Sequence, residues 1–143
     1  MGVEKELIAE YVETGQVKYI FWPVVNHGQA SFNAMLVMEC AGQQSPELAW
    51  TIHDILFENH SSLYSAGLDL YMNIAGQAGL DLDAFQTCFG SDGAIAQIRS
   101  LDQTRIDKGI TGQPVFEFVG VGYLIGSQPK GVFDDAILTV QGQ

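Results

Sequence analysis

Basic side chains are scarce in this 143-residue chain: six Lys and Arg face seventeen Asp and Glu, a formal net charge of -11. Phosphate is gripped by lysine and arginine, so this balance excludes a nucleic-acid surface. It disfavours anionic membrane surfaces for the same reason. Long apolar runs are missing too. Those around Ala34 to Val37 and Val119 to Ile125 are short and broken by glycine or polar residues, far from the ~20 residues that span a bilayer. The opening Met1-Gly2-Val3-Glu4-Lys5-Glu6 is charged and has no apolar export core, and localisation stays open. Cysteine is limited to Cys40 and Cys88, 48 residues apart, which excludes a Cys-x-x-Cys redox pair or a zinc ribbon within these residues. No Gly-x-Ser-x-Gly elbow, phosphate loop or dinucleotide fingerprint occurs, and no cofactor is expected.

What is present suits one domain over residues 1–143, with 47% hydrophobic residues. Leu7, Ile8, Tyr11 and Val12 give Val3 to Glu13 helical spacing, ended by Thr14-Gly15. Val17 to Trp22 is a β-rich run closed by Pro23 and is expected to be a strand. A helix follows over Gln29 to Gln43. Ser45-Pro46-Glu47 then combines a cap, a first-turn proline and an acid near the positive helix end. Its helix carries Leu48, Ile52, Ile55 and Leu56 on one face and ends near Asn59-His60-Ser61. A third helix is expected over Ala66 to Ala78, with Leu68, Tyr71 and Ile74 on its stripe. Asp81 or Asp83 caps a short helix, and Ser91 caps another that runs to Lys108.

The chain holds only four prolines, and one of them, Pro114, falls at a telling place. Gly109-Ile110-Thr111-Gly112-Gln113-Pro114 is a glycine-bounded loop that feeds an apolar strand, Val115-Phe116-Glu117-Phe118. Proline lacks an amide hydrogen, so it fits the first position of a strand and not its interior. A second strand, Tyr123-Leu124-Ile125-Gly126, passes through Ser127-Gln128-Pro129 to a last helix with Val132, Phe133, Ile137 and Leu138.

The Gly-x-x-Gly-x-Pro loop resembles the cis-proline loop of thioredoxin-like proteins. With the elements after it, it is similar to the C-terminal half of the DsbA-like thiol-disulfide oxidoreductases. Met38-Glu39-Cys40-Ala41-Gly42-Gln43-Gln44, Ile52-His53-Asp54-Ile55-Leu56-Phe57-Glu58-Asn59 and Gly79-Leu80-Asp81-Leu82-Asp83-Ala84-Phe85-Gln86-Thr87-Cys88 resemble segments of the same family. The resemblance implies an α/β, thioredoxin-like fold with a helical subdomain inserted at about residues 29–108. It also implies a cis Gln113-Pro114 bond, with Gln113 and Pro114 lining a peptide-binding groove. The family's opening strand and its Cys-x-x-Cys motif would lie before Met1, so the first strand is expected to be absent. The chain is then expected to be a truncated, redox-inactive oxidoreductase. The alternative is a redox-silent peptide-binding or assembly module that keeps the groove.

No catalytic residue is assigned. His27, His53 and His60 lack the helical spacing of a zinc site, so metal binding is not expected. Trp22, Trp50, Phe57 and Tyr71 are read as core packing. Cys40 and Cys88 lie on the inward stripes of two helices of one block and are expected to be close. They would form a disulfide in an oxidising environment and remain two buried thiols in a reducing one. The expected partners are protein or peptide thiols, by the resemblance, and a second copy of the chain docked through strand Val17–Trp22; no nucleic acid or membrane partner is expected.

Overall fold

The computed structural model describes residues 2–65 and 67–142. The chain divides into two compact units: residues Trp22–Asp107 form one, and Met1–Phe21 with Lys108–Gln143 form the other.

The first unit is helical. It contains α2 (Gly28–Gln44), α3 (Pro46–Glu58), a 3-10 turn (His60–Ser65), α4 (Leu68–Gln77), α5 (Leu82–Phe89) and α6 (Asp92–Asp107). Side-chain caps fix three of these starts. Ser45 Oγ accepts from the Leu48 amide at 3.1 Å, Asp81 Oδ1 from Ala84 at 2.8 Å, and Ser91 Oγ from Ala94 at 3.1 Å. Each satisfies an amide that has no partner inside its own helix. The expected α4 start, Ala66, lies outside the described residues, and Leu68, expected on the inward stripe, is exposed. Here α2 is the central rod. Leu36, Val37, Cys40 and Ala41 are buried on it, packed with Ile52 and Leu56 of α3, Tyr71 and Ile74 of α4, Phe85 of α5 and Ile98 of α6. Cys40 and Cys88 form a disulfide with Cα atoms 5.7 Å apart. Gln44 links the far end of α2 to the α5 cap, accepting from the Asp81 amide at 2.9 Å and donating to its carbonyl at 3.1 Å.

The second unit begins with α1 (Glu4–Leu7), which runs on as a π-helical turn over Ile8–Val12. The expected helix is therefore present but wider at its end: the Glu13 amide bonds the Ile8 carbonyl at 2.9 Å, five residues back. Gly15, at φ 74°, turns the chain. Val17–Trp22 is not a strand, a correction to the expectation. A β-rich composition supplies side chains that suit a strand, but a strand also needs a β-ladder, and the ladder among the described residues is that of the later hairpin. Its alternation survives: Val17, Tyr19 and Phe21 are half-buried, while Lys18, Ile20 and Trp22 are exposed. Burial and the neighbouring Glu4 carboxylate push the Tyr19 phenol up.

The sheet of this unit is the hairpin β1 (Val115–Phe118) and β2 (Gly122–Ile125), antiparallel, with Val115 opposite Ile125 and Phe118 opposite Gly122. Gly120, at φ 84°, makes the turn. Two strands alone are marginal in water, and α7 (Lys130–Gln141) covers one face. Phe133 packs edge-on against Phe116, ring centres 4.7 Å apart, and both join Leu7, Tyr11, Ile137, Phe118 and Leu124 in one cluster.

An ionic clip ties the π-helical turn to α7. Tyr11 Oη donates to Asp134 Oδ1 at 2.8 Å, and Lys130 Nζ donates to the same oxygen and to Glu10 Oε2 at 2.7 Å. The Lys130 hydrogen bond and then that of Tyr11 hold the Asp134 carboxyl below its usual range, and Asp134 and Glu10 hold the Lys130 ammonium up. A depressed carboxyl stabilises the fold above its unfolded pKa of about 4, and that stabilisation is lost as pH falls through the folded value. The melting temperature is therefore expected to fall on acidification below about pH 4. Asp134→Asn should melt lower at pH 7 and lose part of this acid dependence, read by circular dichroism. An unchanged acid profile in Asp134→Asn would remove the clip from the stability of this unit.

Candidate functional site

The loop between α6 and β1 is built by its two ends. Gly109 takes φ 72°, a left-handed turn that ends the helical path. Beyond it, Thr111, Gly112, Gln113 and Pro114 are all exposed. The Gln113–Pro114 bond is cis. Pro114 cannot donate to the hairpin, but its carbonyl accepts from the Gly126 amide at 2.9 Å. That bond sets the phase of the ladder. Antiparallel alternation then aims the Phe116 and Phe118 backbone groups at β2 and those of Val115 and Glu117 outward. The outer edge of β1 has no ladder partner among the described residues.

A second clip closes the base of this loop. Lys108 Nζ donates to both carboxylate oxygens of Glu117, at 2.8 and 2.7 Å, and Tyr123 Oη donates to Glu117 Oε1 at 3.3 Å. Glu117 and Tyr123 are directly opposed across the hairpin. The Lys108 hydrogen bond is the main reason that the Glu117 carboxyl sits below its usual range, and it holds the Lys108 ammonium above its own. The loop thus projects from a fixed base, and its tip carries two uncharged residues, Gln113 and Pro114. No charged side chain stands on the Thr111–Pro114 tip.

The family model described as Thioredoxin matches residues 2–117. The chain belongs to the thioredoxin family. No curated protein and no solved structure gives a match. The thioredoxin match takes in the whole of the Gly109–Pro114 loop and ends within β1. This thioredoxin-family chain has an α/β fold, with mostly helical content and a small two-stranded sheet.

The other candidate residues lie elsewhere. The Cys40–Cys88 bond belongs to the helical unit, with Cys40 buried and Cys88 half-buried. His53 is buried on α3, its Nδ1 donating to Asp54 Oδ1 at 3.0 Å and its ring packed against Trp50 and Phe57. His60 Nδ1 bonds the Phe57 carbonyl at 3.0 Å, and His27 meets the Tyr64 ring edge-on. Tyr71 is core, as its spacing suggests, whereas Trp22 and Phe57 are each 43% exposed. The Trp22 indole Nε1 donates to the Leu101 carbonyl of α6 at 3.1 Å.

Sequence reasoning missed the Lys108–Glu117–Tyr123 clip. Its only signal is a pair of opposite charges flanking a Gly/Pro loop, and the tyrosine joins only once the hairpin register is known. Breaking the clip with Lys108→Met should leave the melting temperature nearly unchanged, since exposed pairs contribute little. It should raise amide exchange at Thr111 and Gln113 by about threefold or more, a modest shift in a local opening equilibrium. Exchange in the loop unchanged by Lys108→Met would mean that the clip does not hold it.

Proposed function

We propose that this chain is the substrate-handling part of a DsbA-type thiol-disulfide oxidoreductase, with Gln113 and Pro114 as the residues that meet the substrate polypeptide. The observation that carries the reading is the exposed Thr111–Pro114 tip opening directly onto the unpaired outer edge of β1. An extended peptide can add to such an edge through backbone hydrogen bonds, with the loop beside it reading side chains. The segments around Cys40, His53 and Cys88 support the DsbA assignment within the thioredoxin family by their resemblance. The reaction class is exchange of a disulfide with a substrate thiol, which needs a thiolate on one partner. Both cysteines of this sequence are bonded to each other, so residues 1–143 bring no free thiol to that exchange.

The same pairing favours a second reading, a redox-silent module that binds peptides or assembles through the same edge. The two readings part on the coding sequence ahead of the Met1 codon. An in-frame apolar strand followed by Cys-x-x-Cys supports the enzyme, and its absence supports the module. A second copy of the chain is also a proposed partner, along Val17–Trp22, where Ile20 is 63% exposed.

Titration of the labelled chain with an extended, S-methylated cysteine peptide is expected to shift the Gln113, Val115 and Glu117 amides in a saturable way. Residues 1–143 alone should show no turnover in insulin reduction. Peptide shifts confined to other residues would overturn the site. Turnover that survives replacement of both cysteines would overturn the chemistry.

A further inference from the structure

The helical unit holds an open hollow of about 540 Å³ between the start of α2 and the last turns of α6. It shares no residue with the proline loop. Its walls are Val25, Gln29, Phe32, Arg99, Asp102 and Gln103. Arg99 and Arg105 are the only Lys or Arg residues of this unit, and their settings differ. Arg105 is buried and its Nε donates to Asp102 Oδ1 at 2.8 Å, an oxygen that also accepts from the Val25 amide at 2.9 Å. The Asp102 charge is thereby answered within the fold. Arg99 is exposed and has no ion-pair partner among the described residues, although the unit is rich in carboxylates. Its guanidinium carbon lies 5.8 Å from the Phe32 ring centre. At that distance the cation meets the ring face at the limit of a cation–π contact, and its planar fork of N–H donors is not used up by an ion pair.

The amides beside it are also oriented. Gln29 Nε2 donates to Asn33 Oδ1 at 2.6 Å, and Gln103 Nε2 donates to Asp107 Oδ1 at 2.8 Å. Each glutamine spends a donor on its own helix, and both side chains line the hollow; an amide side chain carries a carbonyl oxygen as well as donors. The hollow therefore combines a forked cation, two neutral amide side chains and the carbon surfaces of Val25 and Phe32.

We infer that this hollow binds an N-acyl amino acid group: a carboxylate on Arg99, an amide N–H on Gln29 or Gln103, and an apolar side chain against Val25 and Phe32. Free N-acyl amino acids and the C-terminal residue of a polypeptide share this chemistry. A simple inorganic anion would leave the amide oxygens and the carbon surface unused. In a chain of net charge -11, the pairing of carboxylate and guanidinium is local, and it weakens with added salt.

The test is a titration of the whole labelled chain with N-acetyl-leucine, N-acetyl-leucinamide and a tetrapeptide ending in a free leucine carboxylate. N-acetyl-leucine should give saturable shifts at Gln29, Phe32, Arg99 and Gln103. The amide, which lacks the charge, should bind about tenfold more weakly or worse. Arg99→Gln should weaken N-acetyl-leucine to the same degree, and Gln103→Glu should weaken it by placing a like charge at the mouth. Both side chains are exposed, so neither variant threatens folding. Tighter binding of the tetrapeptide than of N-acetyl-leucine would identify the polypeptide terminus as the source; equal or weaker binding would identify the small molecule. Equal binding of acid and amide, an unaffected Arg99→Gln variant, or no saturation up to about 20 mM, beyond any useful affinity, would each overturn the inference.

Discussion

The helical unit depends on the complete burial of one stripe of α2. Val37 and Ala41 are fully inaccessible and Cys40 nearly so, and that stripe touches α3, α4, α5 and α6. No other helix of the unit holds so many neighbours. Small residues at Ala34 and Ala41 allow close approach, and Phe85 and Tyr71 fill the space beside them. The Cys40–Cys88 bond fixes α2 to α5 covalently, and Gln44 adds two hydrogen bonds to the α5 cap. A chain held in this way gives α6 and the start of α2 a settled spacing, which is what the contact of Arg99 with Phe32 requires.

The hairpin unit rests on less. Its buried side chains are Leu7, Tyr11, Phe133 and Ile137, with half-buried Phe116, Phe118 and Leu124 against them. Loss of Phe133 would cost about 3–5 kcal/mol on the usual scale of buried aromatic deletions, a large part of any domain's stability. The other face of the hairpin is open: Tyr123 is 47% exposed and Ile125 70%. Open edges and an open face suit the peptide contact proposed for this unit. The ionic clip from Lys108 to Glu117 sets the base of the loop without using any group that the proposed peptide contact needs.

Much of the helical unit was legible because its determinants are local. Ser45, Asp81 and Ser91 bond amides three residues on, a spacing that can be read from sequence. The α2 and α5 stripes put Cys40 and Cys88 inward, and the Gly109 turn follows from glycine's freedom at positive φ. Val17–Trp22 was misread because its composition speaks only to side-chain preference, whereas a strand is defined by what lies beside it. The π-helical turn at Ile8–Val12 has no sequence signature that separates it from an ordinary helix. Arg99 and Phe32 lie far apart in sequence, and their pairing emerges only when α2 and α6 are packed. The same holds for Tyr123 joining Glu117, which needs the hairpin register.

The central claim is that α2, locked to α5 by its disulfide, holds the helical unit together, and reversible unfolding of the Cys40→Ala/Cys88→Ala variant tests it most directly. The bond closes a loop of 48 residues, for which the loss of unfolded-chain entropy predicts a destabilisation of about 4 kcal/mol. Amide exchange at Val37 and Ala41 should quicken in the variant while Phe116 and Phe118 in the hairpin keep their rates. A loss below about 1 kcal/mol, within the scatter of ordinary surface substitutions, with α2 exchange unchanged, would contradict the account.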